Sequence, residues 1–132
     1  MSSYTVEIVT PIKDVILDNV SYLRCPGLDG AFGVMRKHRE GVFALSIGEL
    51  KIKRNGKNEY FSVGGGFAEI LNDSVKLLVE SLEKSNEIDV DRVNKSIERA
   101  KKRKTERDSD LNEARINASM ARAINRLKIS KR

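Results

Sequence analysis

The chain changes its period between Glu83 and Arg99, and that change limits what it can fold into. Upstream, apolar and polar residues alternate and are punctuated by glycine, as half-buried strands are. Both prolines and all nine glycines lie upstream of residue 67. Downstream of Ser85-Asn86-Glu87, a short polar joint, apolar residues recur at helical spacing. The expected fold is α+β: an antiparallel β sandwich of about ten short strands over residues 1–84, then an α-helical hairpin over residues 85–132.

Within the first part, Tyr4, Val6 and Ile8 alternate with Thr5, Glu7 and Val9 up to Pro11. Val15–Leu17 and Val20–Cys25 continue the β pattern, and Leu28–Met35 reads as a glycine-punctuated strand. Asn55-Gly56 between the alternating runs 50–54 and 57–63 is the preferred pair for a tight type I′ hairpin. Gly64-Gly65-Gly66 separates that run from Phe67–Leu71, and a turn at Asn72-Asp73 leads to a last strand. In the second part, Val90, Val93, Ile97 and Ala100 form one narrow stripe. Asp108-Ser109-Asp110 can cap a second helix, whose apolar side is Leu111, Ala114, Ala118, Ala121, Ile124 and Leu127. Both stripes are narrow and built from small residues, so the hairpin is expected to dock marginally and to be able to leave its packed position.

Charge follows the same division. Residues 1–84 hold 11 Lys and Arg against 11 Asp and Glu, whereas residues 85–132 hold 14 against 8, which accounts for the whole net charge of +6. The tail therefore meets something acidic: nucleic acid, an acidic protein face or a phosphate ligand. Arg92 and Arg99 are one heptad apart and share a helix side, with Asp89 just upstream. Two readings are open: a guanidinium pair for a polyphosphate, or a solvated helix start with Asp at its N-terminal end.

Catalytic signatures are missing. No GxxxxGK[ST] loop occurs, and Gly27, Gly30 and Gly33 do not match the dinucleotide fingerprint. His38 and Cys25 each stand alone, so no histidine-based triad, zinc site or internal disulfide can be assembled. The lone cysteine fits a reducing compartment. No secretory signal or membrane-spanning run is visible. The expectation is a non-enzyme with no required cofactor.

In this order and at this spacing, Gly30-Ala31-Phe32-Gly33-Val34, His38, the run SVGGGFAE at 62–69 and Ile88-Asp89-Val90-Asp91-Arg92 resemble the epsilon subunits of F-type ATP synthases, nearly end to end. The resemblance implies a rotor subunit of a proton-translocating synthase. Its sandwich binds the gamma subunit and sits on the c-ring, with His38 as a rotor contact. Its hairpin folds down on the sandwich, or extends into the alpha/beta head and blocks ATP hydrolysis. The complex would place it peripherally on the cytoplasmic face of a bacterial membrane. Some members bind ATP as a regulatory ligand through an I/L-D-x-x-R-A motif. Ile88, Asp89 and Arg92 match it, and Glu83, Arg99, Arg122 and Arg126 stand at the associated places. Val93 replaces the motif's Ala, and Arg36-Lys37-His38-Arg39-Glu40 replaces the usual P-G-H-x-P loop. The competing function, a nucleic-acid-binding module using the basic tail, lacks Trp and any evident stacking array; the reading adopted is no nucleic acid.

Overall fold

Tyr4, Val6 and Ile8 are buried and their alternating neighbours half-exposed, as a strand with one face on a core requires. The computed structural model describes residues 3–105 and 110–132, without the side chains of 104–113. Its described strands are β1 (Tyr4–Val9), β2 (Asp14–Cys25), β3 (Phe32–Val34), β4 (Gly41–Arg54), β5 (Lys57–Ile70), β6 (Ser74–Val79) and β7 (Leu82–Lys84). A 3₁₀ turn (Ser85–Glu87) leads to α1 (Val90–Thr105) and α2 (Asp110–Ser130).

The strands run β1-β6-β5-β4-β2-β3, and β1 also pairs with β2, so the sheet closes on itself as a flattened barrel. Closure leaves few edges to aggregate. Its interior holds eighteen buried residues, with Val6, Ile8, Leu23, Leu50, Ile52 and Leu77 fully enclosed. Cys25 is among them, and burial pushes its thiol up to about 12, so it packs and does not react. The Tyr4 hydroxyl donates to the Val34 carbonyl inside the same core, and its burial raises the phenol pKa.

The sandwich-plus-hairpin class is the one read from the sequence, with differences in detail. Seven strands replace about ten, because several breaks in the pattern do not break the chain. Asn19 adopts φ 59°, and the register shifts beside it, so a bulge joins the runs before and after it into the single strand β2. The segment 28–35 opens on a turn and a bend at Leu28–Gly30, and only Phe32–Val34 pairs. The sheet is not wholly antiparallel either: β1 and β6 run parallel, with Val6 opposite Val75. Alternation shows which face is buried but not strand direction, which the connections decide.

The glycine run lies inside β5 and does not end it. Here β5 changes partner, pairing with β7 at residues 61–63 and with β6 from residue 66. Gly65 and Gly66 take φ of 101° and 148°. A Cβ on Gly66 would lie 1.9 Å from the Leu78 carbonyl oxygen. Asn55 and Gly56, at φ 52° and 75°, make the expected I′-type turn between β4 and β5.

In α1 the stripe falls mostly as expected, with Val93 and Ala100 buried and Ile97 partly so, but Val90, at the first turn, is exposed. In α2 it does not. The buried residues are Ile116, Ala123 and Ile129, whereas Ala114 and Ala121 are exposed and Ile124 is half-exposed. Ala118 and Leu127 are partly buried. This helix packs on α1 and the sandwich at once, so its enclosed face runs through Ile116, Ala123 and Ile129 and not along the expected alanine stripe. The Asp108-Ser109 part of the expected cap, and the side chains of Asp110 and Leu111, fall outside the described residues.

A first prediction follows from the partner change in β5. Gly66→Ala should destabilise the sandwich by about 3 kcal/mol, since backbone on both sides must shift. Thermal melting checks this; an unchanged midpoint would mean that β5 and β6 separate more easily than their register implies.

Candidate functional site

The hairpin begins at a well-made cap. Asp89 Oδ1 accepts from the Arg92 backbone N–H at 3.1 Å, satisfying a donor that the first helical turn leaves open. Ile88, immediately before it, turns inward with Val93, Ala123 and Ile129 to make a second small core, flanked by Tyr60, Ile97 and Leu127. The side chain at 93 is thus fully enclosed at the helix start, and its greater bulk than Ala fills this core.

Polar contacts tie the later turns of α2 to the sandwich. Asn125 Nδ2 donates to the Gly48 carbonyl at 2.9 Å and to Ser62 Oγ at 3.1 Å. Arg126 donates to both carboxylate oxygens of Glu83, at 2.6 and 3.0 Å. Arg132 grips Glu49 in the same forked way, at 2.8 and 2.9 Å, with its guanidinium 5.0 Å from the centre of the Tyr60 ring. The hydrogen bond to Glu49 raises the pKa of Arg132. At the joint, Lys84 lies 3.8 Å from Glu59, which also receives Arg54.

Beneath the hairpin lies a cavity of about 780 Å³, within the size range of small-ligand sites. The sandwich contributes Lys13, Ser62, Gly64, Glu80 and Ser81 to it. The joint contributes Glu83 and Glu87, and the helices Ser96, Ser119, Arg122 and Arg126. The structure thus divides the residues singled out in the sequence. Glu83, Arg122 and Arg126 meet at this cavity. Arg92 and Arg99 line a groove along α1, with Lys95, Glu98 and Lys102, and Arg99 also lines a smaller cleft between the helices, with Ser96, Arg103, Arg115 and Ser119. Arg99 donates to Ser96 Oγ at 3.3 Å, and that hydroxyl donates to the Arg92 carbonyl at 3.1 Å. Ile88 is core and Asp89 is cap. His38 stands far from this site in sequence, on the 35–40 loop, its Nδ1–H donating to the Arg39 carbonyl at 2.8 Å and its ring edge-on to Phe43. No cluster of metal-ligating side chains occurs among the described residues.

Sequence reasoning missed Asn125, Glu49, Tyr60, Arg132 and Lys13. Asn125 carried a signal, a side-chain amide within a mostly apolar helical stretch, where such a residue usually needs a partner. The Arg132–Glu49 pair joins residues 83 positions apart and left no local pattern.

Comparison with known proteins covers both halves. Residues 3–85 match the family described as ATP synthase, Delta/Epsilon chain, beta-sandwich domain, and residues 86–131 the corresponding long alpha-helix domain. The ATP synthase epsilon chain of Nitratidesulfovibrio vulgaris (strain DP4) is 40% identical over 127 residues, covering 96% of this chain and 95% of that one. That of Syntrophomonas wolfei subsp. wolfei is 34% identical over 132 residues, covering 99% and 96%. A chain of the Euglena gracilis mitochondrial ATP synthase shares the fold, with a TM-score of 0.79 at 20% identity, covering 99% of this chain and 82% of that one.

The contacts between α2 and the sandwich generate a second prediction. Asn125→Ala combined with Arg132→Ala removes two of the three polar attachments, the part-buried Asn125 hydrogen bonds worth about 1 kcal/mol and the exposed Arg132–Glu49 pair adding little. Limited proteolysis of the tail should accelerate about tenfold while the sandwich melts at its original temperature. Equal loss of both would show that hairpin and sandwich unfold as one.

Proposed function

The chain belongs to the ATP synthase epsilon-chain family, non-catalytic subunits of the central stalk, and from that premise we propose that its sandwich joins the gamma subunit to the c-ring while its hairpin acts as a releasable brake on ATP hydrolysis. The observation that carries the reading is the difference between the two cores. Among the described residues, eighteen buried side chains form the sandwich core, whereas the chain from Ile88 onward buries six, four of them in the small cluster under the hairpin, helped by contacts that are mostly polar. Such a hairpin can leave without unfolding what it rests on.

An exposed row on the sheet supports partner binding. Phe67 stands opposite Leu78 on β6 and Ala44 on β4, so the three share a face, and Val42 continues it two residues along β4. Phe67, Leu78 and Val42 are 55%, 42% and 68% exposed. A contiguous apolar row suits a protein partner such as gamma better than water. The 35–40 loop, with His38, is our candidate for the c-ring contact. Released, the hairpin carries the net charge of +6 toward an acidic segment of the alpha/beta head. Among the described residues no helix is long and apolar enough to cross a membrane, and attachment to the cytoplasmic face of a bacterial membrane would come through the complex.

ATP is the proposed regulatory ligand, held in the cavity under the hairpin by Arg122 and Arg126. A ligand bound only by the docked state stabilises it by about 2.7 kcal/mol at a hundredfold excess over Kd. High ATP would keep the hairpin down and falling ATP would release it. The nucleic-acid reading of the basic tail finds no support among these relatives and is set aside.

A third prediction tests this. Truncation after Lys84 should raise ATP hydrolysis by the assembled complex severalfold, most at low ATP, while Phe67→Ser in the full chain should weaken its retention on a gamma-containing complex. Unchanged hydrolysis after truncation would remove the brake, and undiminished retention of Phe67→Ser would place the gamma contact elsewhere.

A further inference from the structure

Two of the four arginines that the sequence offered for phosphate binding do not line the cavity: Arg92 and Arg99 face a groove along α1, and Arg99 also lines an adjoining cleft between the helices that shares Ser96 and Ser119 with the cavity. Arg126 does line it but is already engaged by Glu83, at 2.6 and 3.0 Å. That leaves Arg122 as the helical cation with no ion pair among the described residues. A triphosphate carries three to four negative charges, and binding sites commonly hold one with several converging cations. The sandwich supplies the missing one. Lys13 lines the same cavity and has no ion pair among the described residues.

The backbone of Lys13 is fixed. Its N–H donates to Thr10 Oγ1 at 3.0 Å, and its carbonyl accepts from the Thr10 N–H and hydroxyl, each at 2.9 Å. The β1–β2 turn therefore presents this side chain from a set position, which lowers the ordering cost of using it. The cavity also holds Glu80 and Glu87, which accept hydrogen bonds and repel anions. A ligand with donors at one end and phosphates at the other suits this mixture; ribose hydroxyls or a base amine meet carboxylates, and phosphates meet cations.

We propose that Lys13 is a phosphate-binding residue of this cavity, the sandwich's contribution to a nucleoside polyphosphate site whose other cations come from α2. This rests on the nucleotide reading above and adds a consequence to it. Lys13 and Arg122 belong to two bodies that separate when the hairpin leaves. The ligand therefore bridges tail and sandwich, and it can hold only the docked state.

The test measures Kd by titration calorimetry on the full chain, with ATP, inorganic tripolyphosphate and adenosine as probes. Lys13→Ala should weaken ATP and tripolyphosphate about tenfold. Lys13→Arg should restore most of that loss, and adenosine binding should not change. Lys13 is exposed on a turn held by backbone contacts, so its replacement leaves the core intact. Arg122→Ala serves as the comparison and should lose at least as much. Wild-type affinity of Lys13→Ala for both phosphate probes overturns the proposal while leaving the nucleotide reading standing. Binding of tripolyphosphate that depends on Lys13, with ATP no tighter than tripolyphosphate, supports the phosphate site and removes the recognition of base and ribose. Binding of neither probe by wild type overturns both.

Discussion

Asn125 reaches from α2 to the Gly48 carbonyl and the Ser62 hydroxyl, and the hairpin's place depends on contacts of this kind. Each satisfies polar groups that docking would otherwise strip of water. Each gains little beyond what water offers, because net hydrogen-bond energies are about 1 kcal/mol. The result is specific in geometry and modest in strength. Arg126 on Glu83, and Arg132 on Glu49 and Tyr60, repeat the pattern along the same helix. An apolar attachment of similar extent would hold more firmly and specify the position less. A part that must dock in one place and also leave is served by the polar kind.

The sandwich shows the opposite design. Its ring closes through β1, which pairs with both β2 and β6, and β5 turns from one partner to the next at Gly64–Gly66. Gly66 admits the Leu78 backbone where no side chain fits, and Gly65 takes a positive φ. A closed ring over a continuous core lets the outer face carry Phe67 and Leu78 in the open without loss of the fold. A large continuous core and a lightly attached hairpin are thus properties of two adjoining stretches of one chain.

Much of this was legible in the residues. The period change at Ser85–Glu87, the Asn55-Gly56 turn and the inward set Tyr4, Val6, Ile8 all act locally, so a linear reading finds them. The parallel β1–β6 pairing was not legible, because it joins strands some 70 residues apart. The buried face of α2 was misjudged because alanine spacing suggests a single close-packed helix partner, whereas this helix also lies on β4 and β5 and buries Ile116, Ala123 and Ile129. At the site, motif residues were legible as types but not as roles. Asp89 caps, Ile88 packs, and Arg92 and Arg99 line another groove, while Lys13 enters from a turn some seventy positions before Glu83. Such convergence is made by tertiary structure and leaves no spacing to read.

On this reading hairpin and sandwich are separate cooperative units. Native-state hydrogen exchange on the isolated full chain tests it directly. The account predicts that amides of α1 and α2 exchange through an opening several kcal/mol less costly than the opening that exposes β4 and β5, as the denaturant concentration is varied. Exchange of helix and strand amides at one common free energy, that of global unfolding, would contradict it.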